Sequence, residues 1–202
     1  GLSLAAVNGP AVCIASGTPE RIAALEREIR GRGVGCRSVP MPYAAHSSML
    51  DPLIEPFAEQ AARVPLGAPQ IPYISNTTGT WVRPEQAMDP LYWAQHLRLP
   101  VRFATGLKTI FEDPDALLLE VGPGRSLGTL ARLNEGGART IVSSMRHAQE
   151  GGTDVEALLA AHGRLWLAGL PIDWRGLHRS EEHGRRRRVS LPTYPFERQR
   201  YW

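Results

Sequence analysis

The sequence predicts an α/β fold, and two observations along its 202 residues support this prediction. Short apolar runs rich in β-branched residues alternate with longer segments whose apolar residues recur every three or four positions, which indicates strands alternating with helices. Hydrophobic residues make up 43% of the chain and charged residues 21%, which is typical of a folded globular protein and not of a disordered one. Beyond Trp174 the sequence becomes arginine-rich and irregular.

The first 42 residues read as two strands, a helix and a third strand. Thr18 followed by Pro19 is typical of a helix start, because threonine caps the helix and proline fits its first turn. The predicted elements span residues 2–7, 12–15, 18–31 and 34–41. A ferredoxin-like unit has the order βαββαβ. We therefore expect residues 1–42 to form a partial ferredoxin-like (β-β-α-β) small subdomain.

The middle of the chain alternates helices with strands, as a parallel α/β core does. Periodicity predicts helices over residues 49–64, 91–97, 101–111 and 126–133, and strands over residues 71–75, 116–121 and 140–144. The glycines after residue 121 do not match GxGxxG, because the third glycine falls one residue late, and no P-loop follows. We therefore interpret Gly122-Pro123-Gly124 as a tight strand-to-helix turn, and residues 43–147 as one core.

The last part, residues 148–202, reads as an amphipathic helix over residues 155–170 followed by an irregular linker. Eight arginines and three glutamates lie in residues 175–202, so the net charge of +3 originates there. The run Arg185–Arg188 suits phosphate binding, but no basic helix or nucleic-acid motif surrounds it. A solvated linker is the favoured interpretation, and nucleic-acid binding stays open as an alternative.

Composition narrows the function classes further. No apolar run reaches the roughly 18 residues of a membrane-spanning helix, so we expect no membrane partner. Cys13 and Cys36 lie in strand-like segments and indicate no disulfide framework, which fits a reducing cytoplasm. The histidines, cysteines and acidic residues show no metal-ligand spacing, so we expect no metal site.

One histidine has the position expected of a catalytic group. His46 follows a predicted strand and directly precedes a helix, and loops at strand ends carry the catalytic residues of many α/β folds. A histidine there can act as a general base. The alternative is a helix-capping segment in which Ser47 or Ser48 caps the helix and His46 is incidental.

Five segments together resemble the malonyl/methylmalonyl-CoA acyltransferase domains of modular type I polyketide synthases. The segments are Ala5–Pro10 (AAVNGP), Tyr43–Ser47 (YAAHS), Tyr92–Phe103 (YWAQHL, then PVRF), Glu120–Gly124 (EVGPG) and Leu191–Trp202 (LPTYPFERQRYW). The resemblance implies that residues 43–147 are the C-terminal part of an α/β-hydrolase-like acyltransferase core. It also implies that residues 148–202 are the post-acyltransferase helix and linker.

The resemblance implies a function as well. An acyltransferase of this family loads an extender acyl group from coenzyme A onto an acyl-carrier protein through an acyl-serine intermediate, with His46 as the base. The family orients this histidine by a backbone carbonyl near the position of His96, which alternatively is a packed helix residue. The family's serine stands in a GHSxG motif upstream of the matching segments, so we expect this chain to hold the base without the nucleophile.

Substrate choice and partners follow from the same resemblance. Tyr43, Ala44 and Ala45 form the specificity motif together with His46. Tyr43 matches the methylmalonyl pattern, and the small Ala45 leaves room for a methyl group, whereas residues 48–52 look more like the malonyl type. We therefore favour methylmalonyl over malonyl. Implied partners are acyl-CoA, the phosphopantetheine of an acyl-carrier protein and an adjacent ketosynthase, in a homodimeric parent synthase with no bound cofactor. The alternative is a non-catalytic docking module that contacts the ketosynthase or the carrier protein.

Overall fold

The computed structural model describes residues 1–135, 139–178 and 189–200. These residues form four strands and seven helices, interrupted by irregular segments. In chain order the elements are β1 Leu2–Gly9, β2 Val12–Gly17, α1 Pro19–Gly31, α2 Asp51–Ala61, α3 Pro84–Ala87, α4 Pro90–Arg98, α5 Phe103–Ile110, β3 Leu118–Glu120, α6 Ser126–Glu135, β4 Ile141–Ser143 and α7 Asp154–Leu167.

The first three elements agree with the sequence prediction. β1 and β2 form an antiparallel hairpin that pairs Leu2 with Gly17 at its open end and Gly9 with Val12 at its turn. The helix α1 begins after Thr18, whose hydroxyl accepts a hydrogen bond from the backbone N–H of Arg21 at 3.4 Å. The β-β-α order of residues 1–31 is therefore present.

The prediction of a third strand in the ferredoxin-like subdomain is wrong. Residues 34–41 have no regular structure, and Val34, Val39 and Met41 are each more than half exposed. A strand requires a neighbour that takes up its N–H and C=O groups, and within the described residues β1 and β2 pair only with each other and, at one point, with Val101. The predicted strand over residues 71–75 is also wrong, since only Ile74 forms a bridge, with Trp81.

The strands predicted over residues 116–121 and 140–144 are present and form a parallel pair. β3 and β4 pair in parallel with Leu118 opposite Ile141, and α6 connects them. Two buried clusters cover this small sheet. One consists of Leu107, Ala131, Ile141 and the partly buried Phe103, Phe111 and Leu118. The other consists of Val142, Ala161, Leu165 and the partly buried Leu117 and Ile172, so that α5 and α6 pack on one side and α7 on the other.

The hairpin is attached to the core at the connection between α4 and α5. Val101 donates its backbone N–H to the carbonyl of Ala5 at 2.9 Å and accepts from the N–H of Val7 at 2.8 Å. The amide of Asn134, on α6, also donates to the carbonyl of Asn8 at 2.7 Å. These bonds fix the connection that follows α4 against β1.

The C-terminal part begins with a well-capped helix and continues without regular structure. Thr153 and Glu156 form a reciprocal capping box at the start of α7. Residues 189–200 contain no helix or strand and are exposed, in agreement with the predicted irregular linker. The arginine run 185–188 lies outside the described residues. None of the helices in the described ranges has the length and apolar character that crossing a membrane requires.

Candidate active site

His46 occupies a strained position between residues 34–44 and α2. Its φ angle is 56°, and no other non-glycine residue among those described has a positive φ. A non-glycine residue in this left-handed region costs about 1–3 kcal/mol and persists only where its surroundings hold it. Two hydrogen bonds do so here. The backbone N–H of His46 donates to the carbonyl of Leu97 at 3.0 Å, and its ring Nδ1 lies 2.9 Å from the carbonyl of Leu99.

The bond to Leu99 determines which ring nitrogen of His46 carries the proton. A carbonyl oxygen can only accept, so Nδ1 must be the donor and must be protonated. In the neutral ring Nε2 then holds the free lone pair. This is the tautomer that a general base requires, and among the described residues a main-chain carbonyl, and not a carboxylate, fixes it.

Ser47 holds the turn that carries His46. Its side chain is 1% exposed; the hydroxyl donates to the carbonyl of Ala44 at 2.7 Å and accepts from the N–H of Met49 at 3.2 Å. The capping interpretation of Ser47 is therefore confirmed, because it caps the 3-10 turn of residues 48–50 that leads into α2. His46 makes two hydrogen bonds of its own, which are separate from this cap.

The three residues before His46 form a short bend. Tyr43 is 62% exposed, and its carbonyl accepts from the N–H of Ala45 at 3.1 Å. Ala44 and Ala45 are half-buried. Both alanines carry only a methyl side chain, so no bulky group directly precedes His46 in the chain.

His96 lies within the aromatic packing of α4. Its ring meets Tyr92 edge-on at 4.7 Å and stacks on Trp93 at 5.8 Å between centroids. Nε2 is buried and has no hydrogen-bond partner in the described part of the chain. Burial lowers the pKa of His96, and the neighbouring charge of His46 lowers it further. The carbonyls that bind His46 belong to residues one and three positions after His96.

The Glu120–Gly124 segment has a structural function. Both carboxylate oxygens of Glu120 accept from the start of α6, from the N–H of Leu127 at 3.0 Å and from that of Gly128 at 2.9 Å. Gly122 and Gly124 have φ angles of 147° and 96°, which favour glycine, and they make the tight turn between β3 and α6. This agrees with the strand-to-helix turn predicted from the sequence.

The residues that follow this turn carry a pattern that the sequence prediction missed. Gly124–Gly128 reads GRSLG and so matches the GxSxG pattern of a nucleophile elbow. The local geometry argues against that role. A nucleophile elbow is strained at its serine, whereas Ser126 has no positive φ and begins α6. The elbow also uses the N–H of the following residue as an oxyanion donor, and here Glu120 occupies the N–H of Leu127.

No group of three or more histidine, cysteine, aspartate and glutamate side chains in the described ranges is arranged to hold a metal ion. The site around His46 contains two main-chain acceptors, the carbonyls of Leu97 and Leu99. The family resemblance implied a backbone carbonyl near His96, but the sequence did not identify which residues supply it.

Comparison with known proteins identifies the family of the chain. The family model of the acyl transferase domain matches residues 1–170. The chain is 37% identical, over its full length, to a subunit of the phenolphthiocerol/phthiocerol polyketide synthase of Mycobacterium tuberculosis and covers 13% of that protein. It is 34% identical over 99% of its length to the spectinabilin polyketide synthase system protein NorB of Streptomyces orinoci, of which it covers 9%.

Solved structures give the same result. The acyltransferase domain of SpnD, in complex with 2-(pent-4-yn-1-yl)malonyl, superposes on 84% of the chain with a TM-score of 0.80 and 45% identity. The acyltransferase domain of ZmaA superposes on 95% with a TM-score of 0.82 and 38% identity. The chain covers 42% and 43% of these two structures, respectively, and thus spans less than half of the domains that it matches. By sequence and by structure, the chain belongs to the acyltransferase domain family of polyketide synthases.

Proposed function

We propose that the chain is the C-terminal part of an acyltransferase that transfers an extender acyl group from coenzyme A to the phosphopantetheine thiol of an acyl-carrier protein, with His46 as the general base. The observation that carries this proposal is the hydrogen bond from Nδ1 of His46 to the carbonyl of Leu99. This hydrogen bond leaves Nε2 free to take a proton. The type of reaction is inferred from the family to which the chain belongs.

The proposed reaction has two half-reactions that use the same nitrogen. A serine in the GHSxG motif of the family, outside this chain, loses its proton to Nε2 of His46 as its oxygen attacks the thioester carbonyl. The tetrahedral adduct expels the coenzyme A sulfur, which takes the proton from the imidazolium. The phosphopantetheine thiol then gives its proton to Nε2, attacks the acyl-serine ester, and the serine oxygen leaves with that proton.

The test is a substitution of the base in the complete acyltransferase of which this chain is a part. We expect His46→Ala to lower the rate of acyl transfer by at least about 100-fold, which is the scale of general-base loss. His162→Ala on α7 is the matched control, because Nδ1 of His162 also lies on a backbone carbonyl, that of Leu158 at 2.8 Å. Near-normal transfer by a folded His46→Ala enzyme refutes the proposal.

The structural contacts of His96 support a packing role, but the resemblance also leaves it close to the acceptor carbonyls of the base. We propose that His96 supports the site through the packing of α4 and takes no part in proton transfer. An unchanged rate in His96→Phe together with a lost rate in His46→Ala separates this from a direct catalytic function.

We further propose methylmalonyl as the preferred extender, with malonyl as the alternative. The small, half-buried Ala45 beside the base supports it, and so does the match of Tyr43 to the methylmalonyl pattern. One methyl group in an apolar pocket contributes about 1–3 kcal/mol, so selectivity of roughly 10–200-fold is the upper range. The test is competition between equal amounts of the two acyl-CoA donors, with the acyl group on the carrier protein identified by mass. A malonyl excess contradicts the preference.

The remaining proposals concern partners and location. Besides the acyl-carrier protein, we propose contact with an adjacent ketosynthase in a homodimeric synthase, because α7 leaves Trp166 and Leu167 mostly exposed. Deuterium exchange of residues 154–167 in the parent synthase tests this, with slow exchange expected and rapid exchange opposing it. The free thiols of Cys13 and Cys36 support a reducing cytoplasm.

A further inference from the structure

An ion pair joins the element that follows the base to the element that carries its acceptors. Asp51 is the first residue of α2 and lies five positions after His46, and Arg98 is the last residue of α4. The Nε–H of Arg98 donates to Oδ1 of Asp51. The two helices pack against each other, so the pair lies at the end of an existing contact.

The ion pair matters for the site because Arg98 lies between the two residues whose carbonyls accept hydrogen bonds from His46. The backbone N–H of His46 binds the carbonyl of Leu97, and the ring binds the carbonyl of Leu99. These are the residues on either side of Arg98. A side chain that anchors residue 98 to α2 therefore restrains both carbonyls relative to the segment that carries the imidazole.

His46 needs such a restraint because its backbone conformation is unfavourable. With φ at 56°, the residue relaxes towards the right-handed or extended region unless several contacts hold it. Ser47 holds the turn from within through the carbonyl of Ala44. The second restraint comes from the end of α4, through the carbonyls of Leu97 and Leu99.

We propose that Asp51 and Arg98 are positioning residues that fix the end of α4 against the start of α2 and thereby hold His46 in its base-competent geometry. This inference rests on the proposed role of His46. The side chains are 56% and 34% exposed, respectively, and pairs with this exposure add little to folding stability. Loss of the pair should therefore leave the fold intact and loosen only the site.

The experiment measures kcat and KM separately for Arg98→Gln and Asp51→Asn in the complete acyltransferase. A displacement of about 1 Å at a reacting group can cost up to about 100-fold, so we expect each variant to lower kcat by about tenfold. KM should stay within about twofold, because neither residue binds substrate in this scheme. Arg98→Lys and Asp51→Glu keep the charges and should recover part of the rate.

A matched control and a double-mutant cycle complete the test. Arg32→Gln breaks the comparable exposed pair with Glu28 on α1 and should leave kcat unchanged. In a His46→Ala background, Arg98→Gln should cause no further loss, because it acts through the missing imidazole. An unchanged kcat in both Arg98→Gln and Asp51→Asn, or a full further loss on top of His46→Ala, overturns the positioning role alone. Normal transfer by His46→Ala overturns the proposed function together with it.

Discussion

Replacing Glu120 by alanine should destabilise the protein because it uncaps α6. Both oxygens of the Glu120 carboxylate bind backbone N–H groups in the first turn of that helix, at 3.0 and 2.9 Å. These donors have no partner within a helix, so the carboxylate satisfies them and also places a negative charge at the positive end of the helix dipole. Ala131 of the same helix packs against the parallel strands.

The size of the effect follows from these contacts. A hydrogen bond to a charged group contributes about 1.5–3 kcal/mol, and a charge at a helix N-terminus adds about 0.3–1 kcal/mol. Glu120 is half-buried, so water replaces part of the lost bonding. We therefore expect Glu120→Ala to lower the free energy of unfolding by about 2–3 kcal/mol, below the full sum of about 3–7 kcal/mol for two such bonds and the dipole. Glu120→Gln keeps one acceptor oxygen and should lose about half as much.

Urea unfolding followed by far-ultraviolet circular dichroism measures this change. With a slope of about 2 kcal/mol per molar urea, the midpoint of Glu120→Ala should fall by about 1 M. Glu112→Ala, at an exposed position after α5, is the control and should stay within about 0.5 kcal/mol of the parent. A midpoint for Glu120→Ala that equals the control shows that the cap contributes nothing and that the reasoning is wrong.

Three further predictions concern other parts of the molecule. Burial and the charge of His46 lower the pKa of His96, so the unfolded chain binds a proton at this residue more strongly than the folded chain does. The free energy of unfolding should therefore fall as the pH drops below about 6.5. In pH-dependent thermal unfolding, His96→Phe should make this decrease shallower. Gly79→Ala places a Cβ 2.6 Å from Thr105 at a φ of 75°, and should cost at least about 2 kcal/mol in thermal unfolding; an unchanged midpoint contradicts the clash. Ala45→Phe should shift extender selection towards malonyl by about tenfold in the competition assay, and an unchanged ratio contradicts the steric argument.

Local patterns predicted the helices better than the strands. The caps at Thr18 and the periodicity of α2, α4 and α7 are properties of a few consecutive residues, and the structure has helices at these places within a few residues. A strand depends on a neighbour that is distant in sequence. Residues 34–41 contain two valines but also Gly35 and Pro40, and they have no pairing partner in the described chain, so the apolar residues alone were misleading.

The sequence predicted only part of the candidate site, because the site also depends on contacts between residues that are distant in the chain. His46 was a candidate because it stands between a predicted strand and a helix, but its acceptor Leu99 lies 53 residues away. The GRSLG pattern shows that a match over a few consecutive residues can also mislead. It matches a catalytic motif over five residues, yet Glu120, just before it in the chain, takes up the N–H groups that such a motif would need.

The use of a backbone carbonyl to orient His46 changes how the site can be adjusted. A carboxylate partner brings a full negative charge and can be replaced by one substitution, whereas a carbonyl fixes the tautomer without that charge and persists whatever side chain residue 99 carries. The geometry of the proposed base then depends on the groups that fix the main chain around that carbonyl. In this protein those groups are the packing of α4, the link of Val101 to β1 and the ion pair between Arg98 and Asp51. Of these three, the ion pair is the one that a single surface substitution can remove without opening the core.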